Sequence, residues 1–129
     1  MSSNLIAWDV EGVPAPQGSL RSGGRGQLFY SNEKPLMLWR KLVADGCPID
    51  APEDGAWRCS MTFRVRRPAS VKRASPTVMP DLDKYIRAIL DALTGRVWID
   101  DGQVVALTAS KRYAQEPGCT IVVSRVEDA

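Results

Sequence analysis

Leu5 to Val10 (LIAWDV) is the first patterned stretch of the chain and reads as a strand leading into a loop. That loop, EGVPAPQGSLRSGGRGQ, holds two prolines and five glycines and reads as irregular. LFY, Leu28 to Tyr30, fits a short strand. From Pro35 to Ala44, apolar residues at 36, 38, 39, 42 and 43 fall on one side of a helix, with Pro35 in its first turn and Gly46 at its end. CPIDAPEDG is a connector. Trp57 to Arg66 alternates with period two. Trp57, Cys59, Met61, Phe63 and Val65 share one face, and Arg58, Ser60, Thr62, Arg64 and Arg66 share the other. RRPASVKRASPTVMP has no period and is a long loop, a kind of segment often functional in a compact domain.

Asp81 to Leu93 carries the clearest helical pattern. At about 100° per residue, Leu82, Ile86, Ile89 and Leu93 gather on one side, flanked by Tyr85 and Leu90. Asp83, Lys84, Arg87 and Asp91 point the other way, and Gly95 suits a left-handed helix end. Val97 to Ile99 is a short apolar run before an Asp100-Asp101-Gly102 turn. Val104 to Arg112 and Thr120 to Val126 are strands joined by YAQEPG, which suggests a terminal hairpin. The order β, (β), α, β, α, β, β predicts a single α/β or α+β domain over residues 1–129, with a mixed sheet of about four strands and two main helices. Trp39, Trp57 and Trp98 are expected in the core.

Composition sharpens the chemistry. The chain has 129 residues, an ordinary apolar share of 44% and a net charge of +2. Its three cysteines are widely spaced, with no CxxC, and read as reduced thiols. With no transmembrane run and no secretory signal, a cytoplasmic location is expected. There is no histidine, which excludes Ser-His and Cys-His catalysis and His-ligated zinc. Charge is unevenly placed. Arg58 to Pro80 holds six basic residues and no acid, whereas Asp81 to Asp101 holds five acids against three bases. A protein that cuts a polyanion needs both, bases for the phosphates and acids for a metal.

Each acid has a bland explanation. Asp81 would cap a helix, Asp83 and Asp91 would ladder with Arg87, and Asp100 and Asp101 would make a turn. A cap or a turn needs one aspartate, however, and each place has two. The sharper reading is a Mg²⁺ site built from Asp81, Asp83, Asp100 and Asp101, with Mn²⁺ as a substitute, since hard cations take carboxylate and phosphate oxygens. TGRVWI is too short to run back along the helix, so the two pairs converge only if a neighbouring strand returns the second one.

PDLDKYIRAILDALTGRVWIDDGQVV resembles the signature of RusA-like Holliday junction resolvases, roughly P-D-x-D-N-x-x-K, D-A-L-x-G and D-D-x-Q-V. The matches are Pro80, Asp81, Asp83, Asp91-Ala92-Leu93, Gly95, Asp100, Asp101, Gln103 and Val104. GVPAPQGSLR is also similar to a loop near the start of phage members. The resemblance implies a small mixed α/β homodimer that uses Mg²⁺ to cut four-way DNA junctions by paired incisions. It places the metal on Asp81, Asp83 and Asp101 and a functional lysine at Arg87. Arg87 departs from that pattern, as does Lys84, where the family has asparagine. Arginine holds a phosphate but does not serve as a base, so Lys84 and Arg87 are expected to share the role. Arg21, Arg64, Arg66, Arg67, Lys72 and Arg73 are expected to contact DNA phosphates. Three readings compete with it: a branched-DNA-binding dimer without cleavage, a metal-dependent phosphotransfer enzyme on a small substrate, and a structural domain whose acids only cap and turn.

Overall fold

The computed structural model describes residues 5–18, 20–22, 28–30 and 33–127, with backbone alone at 20–22 and 28–30. The elements are β1 (Ile6–Glu11), β2 (Leu20–Ser22), β3 (Leu28–Tyr30), α1 (Glu33–Gly46), β4 (Trp57–Val65), α2 (Leu82–Leu93), β5 (Val104–Tyr113) and β6 (Gly118–Arg125). Four strands form one sheet in the order β1-β6-β4-β5, and β2 pairs with β3 separately. Strand β2 falls inside the stretch read from sequence as irregular. Arg21 lies on it with its side chain outside the described residues, and Arg25 lies outside them altogether.

Alternation on β4 decides which way the sheet faces. Cys59, Met61 and Phe63 on β4 and Cys119, Ile121 and Val123 on β6 are fully or almost fully buried on the helix side. Leu36, Trp39 and Val43 from α1 close over them, with Tyr85, Ala88, Ile89, Ala92 and Leu93 from α2. Trp57 and Trp98 fill one end, their rings tilted at 6.3 Å. On α2, Ile89 and Leu93 of the predicted side and the flanking Tyr85 are buried, together with Ala88 and Ala92, while Leu82 and Ile86 are half-buried. On α1 the predicted apolar face is only partly used: Leu38 and Leu42 are 61% and 38% exposed.

Strand β4 pairs antiparallel with β6 and parallel with β5. The terminal hairpin expected from sequence therefore does not form, because β4 lies between β5 and β6. A four-residue link, 114–117, joins them. It reaches about 13 Å, enough to step over one strand at about 4.8 Å per strand spacing. The parallel β4–β5 pair needs a crossover, and the 66–81 segment with α2 supplies it. The start of α2 thus stands at the C-terminal ends of β4 and β5, where open α/β sheets bind ligands. Gly95 follows α2 at φ +88 and ends it, as its position suggested.

Candidate active site

Asp81 is the N-cap residue of α2 in extended geometry, yet its carboxylate makes no capping hydrogen bond. Its backbone carbonyl instead accepts from the amides of Lys84 and Tyr85. The carboxylates of Asp81 and Asp83 are exposed. The ladder of Asp83, Arg87 and Asp91 does not form. Asp91 pairs at 2.9 Å with Arg40 of α1, and among the described residues neither Asp83 nor Arg87 joins an ion pair. The capping and laddering explanations for Asp81 and Asp83 therefore account for neither carboxylate.

Two contacts hold the segment that presents Asp81. Lys111 of β5, in register with Phe63, donates from Nζ to the carbonyls of Val78 (2.7 Å) and Pro80 (2.8 Å). The Met79–Pro80 peptide between them is cis. On the other side, the Gln17 amide donates to the Lys84 carbonyl at 3.0 Å. Arg40 donates to both Gln17 Oε1 and Asp91, so the 12–18 loop is pinned to both helices. Pro16, Gln17, Met79, Pro80, Asp81 and Lys84 together line a cleft.

A basic surface adjoins this end. Arg66, Arg67, Lys72 and Arg73 are exposed and, among the described residues, belong to no ion pair. The guanidiniums of Arg67 and Arg73 lie 5.9 and 5.8 Å from the centre of the Tyr113 ring, within cation–π range. Arg64 does not belong to this set. Its guanidinium is turned onto Asp9 (2.8 Å) and the Thr120 hydroxyl (2.7 Å) on the open face of the sheet, with only 14% of its side chain exposed. Alternation alone placed Arg64 on a wet face; β1, two strands away across β6, supplied the acid that engages it.

Asp100 and Asp101 stand elsewhere. Asp100 caps a single 3-10 turn, Asp101–Gln103, by accepting from the Gly102 amide at 3.0 Å. The Gln103 side chain accepts from the amides of Ile99 and Asp100 and donates to the carbonyls of Glu53 and Gly55. The turn explanation thus fits Asp100, while the Asp101 carboxylate is exposed. This turn precedes Val104, the first residue of β5, whereas Lys111 grips the Asp81 segment seven positions further along. At about 3.3 Å per residue, the two acidic pairs of one chain lie on the order of 20 Å apart. Among the described residues, no strand returns the second pair to the first. Among the described residues, no three His, Cys, Asp or Glu side chains are grouped to hold a metal ion. Asp81 and Asp83 do supply the one or two carboxylates that Mg²⁺ takes beside phosphate and water.

Buried groups are inert by comparison. Burial pushes the Cys59 and Cys119 thiols up to about 12, and it raises those of Cys47 and the Tyr85 hydroxyl as well. All four are protonated at neutral pH. Sequence reading missed Lys111, Tyr113 and Gln17. Lys111 left a signal: it interrupts the apolar side of β5 carried by Val105, Leu107 and Ala109.

Free carboxylates at a helix start thus lie beside unneutralised arginines in a small α+β domain. Residues 11–124 match the family model of Endodeoxyribonuclease RusA, and the chain belongs to that family. It is also 41% identical over 141 aligned positions to "Uncharacterized protein YqaN" of Bacillus subtilis (strain 168), covering 95% of this chain and 98% of that protein.

Proposed function

We propose that this protein is a divalent-metal-dependent endonuclease that cuts branched DNA, resolving four-way junctions as a homodimer. The observation that carries this reading is that Asp81, Asp83 and Asp101, the acids to which the resemblance assigns the metal, are all exposed and unpaired among the described residues. A bound Mg²⁺ would supply Lewis-acid polarisation of the scissile phosphate. Arg66, Arg67, Lys72 and Arg73 hold neighbouring phosphates without reading sequence. Lys84 and Arg87, one helical turn apart, face the charge that develops on the phosphate.

The separation of the acids within one chain supports a two-chain site. Strand β5 is a sheet edge, and its helix-side residues Val105 and Leu107 are 62% and 43% exposed. A two-fold axis near the middle of β5 exchanges its ends, bringing the Asp101 end of one copy beside the Asp81 end of the other. In that arrangement Asp81 and Asp83 of one protomer share a site with Asp101 of its partner.

The test is cleavage of a synthetic four-way junction and a matched duplex, with Mg²⁺ and with EDTA. Paired nicks on the junction alone are expected, abolished by EDTA and by Asp81→Asn or Asp101→Asn. Mixing those two inactive variants should restore single nicks, because a heterodimer reunites one intact set of acids. Cleavage by the wild type without rescue by mixing would place each site within one chain. A second reading, branched-DNA binding without cleavage, is favoured by the Lys84 and Arg87 departures. Junction binding by a wild type that cuts nothing would establish it.

A further inference from the structure

Beside Asp81, between β4, β5 and the 66–80 loop, lies a pocket of about 180 Å³. Its walls are apolar: Val65, Pro76, Val78 and the Tyr85 ring. Tyr85 is itself held rigidly, stacked on Phe63 at 5.0 Å. Arg66 and Arg73 sit at the pocket, and Lys111 and Tyr113 complete its lining. The Tyr113 hydroxyl is shielded from solvent and has no hydrogen-bond partner among the described residues. A hydroxyl can both donate and accept, and a buried one without a partner is unfavourable.

This combination fits one kind of ligand. A volume of 180 Å³ is close to the roughly 150 Å³ at which a protein cavity accepts a single benzene ring. Apolar walls and a fixed aromatic ring suit the face of a planar heterocycle, and the orphaned hydroxyl suits its polar edge. Arg66 and Arg73 suit an attached phosphate. The pocket shares Met79 and Pro80 with the cleft described above, and Val78, Met79 and Lys111 with a second cleft that Asp81 lines together with Thr77 and Leu82, so its occupant stands next to the bond to be cut.

We infer that this pocket receives a nucleobase of single-ring size, unstacked from the branch point of the DNA, beside the scissile phosphate. The inference rests on the nucleic-acid reading above and adds a reason for structure selectivity. Extruding a base from an intact duplex costs its full stacking and pairing, whereas a nucleotide at a crossover has already lost part of both. The duplex is rejected because it cannot fill the pocket cheaply.

The experiment is photocrosslinking. 5-Iododeoxyuridine is placed at a nucleotide flanking the crossover of a synthetic junction, or mid-way along a matched duplex. Each is irradiated with the full-length protein in EDTA, adducts are mapped by mass spectrometry, and binding is followed by anisotropy. Adducts on Tyr113 or Tyr85, at least tenfold more abundant with the junction, are the expected result. A bound junction whose iodouracil marks neither tyrosine overturns the pocket and leaves the DNA reading standing. A junction that does not bind overturns both. Independently, Val78→Phe, at a half-exposed position, fills the pocket without removing a group. It should lower the ratio of junction to duplex affinity roughly tenfold, within the range for one base stacked on an aromatic side chain. An unchanged ratio counts against the proposal.

Discussion

Lys111 illustrates how one side chain links fold to chemistry. Its ammonium bridges the carbonyls of Val78 and Pro80, immediately before Asp81. It touches no acid of the site and acts by holding the backbone that aims one. Lys111→Met keeps the stem and removes both bonds. It should lower kcat on junctions about tenfold to a hundredfold, the scale of an ångström of misplacement, while junction affinity changes little. Lys111→Arg should recover part of the loss. If Lys111→Met weakened binding and spared kcat, Lys111 would be a DNA contact instead. The tethered Lys111 contrasts with Arg67 and Arg73, which rest on a tyrosine ring with no acid partner among the described residues and present their charge outward.

At the scale of elements, β4 and β6 form the centre of the sheet and carry Cys59 and Cys119, both fully buried on the helix side. Burial raises both thiols from 9.0 to about 12. A raised folded pKa favours the fold below the unfolded value and withdraws that favour as pH climbs toward the folded one. Above pH 9 the unfolded chain ionises these thiols and the native chain does not. The melting temperature should therefore fall steadily between pH 9 and pH 12. Cys59→Ala should flatten part of that fall, while costing stability at pH 7 through the cavity it leaves. A melting series against pH on both proteins checks the sign. Helix α2 shows a different lesson. Its amphipathic pattern was plain in sequence, and Tyr85, Ile89 and Leu93 are buried as it predicts, but Ala88 and Ala92 join them while Leu82 and Ile86 stay half-buried.

For the whole molecule, the placement of charge is the main consequence of the fold. Arg66, Arg67, Lys72 and Arg73 emerge at the same end as Asp81, because the β4–α2–β5 crossover delivers all of them there. If each neutralises a DNA phosphate, the four contribute about −3.6 per protomer to the slope of log K against log salt. The double variant Arg67→Ala, Arg73→Ala should flatten the slope by about 1.8 per protomer. It should weaken binding to both junction and duplex, whatever their sequence, since phosphate contacts carry no sequence information. Titrations between 50 and 200 mM salt measure both quantities. An unaltered slope would move the DNA surface elsewhere on the molecule.

By itself, the sequence determined the local grammar. Period two marked β4 and its buried face, period 3.6 marked α2, and Gly95 marked where that helix ends. Paired aspartates after a proline, followed by DALTG and DDGQV, were enough to mark the family. These are properties of neighbours in the chain, and local sterics and burial fix them. Tertiary structure decided what depends on distant partners. It inserted β4 between β5 and β6, turned Arg64 onto Asp9, coupled Asp91 to Arg40 rather than to Arg87, and engaged Asp100 in a turn. It also set Asp81 and Asp101 at opposite ends of β5 and brought Lys111 and Tyr113 beside the site. Which side chains meet across a sheet follows from strand order and register, and no periodicity within a single strand encodes either.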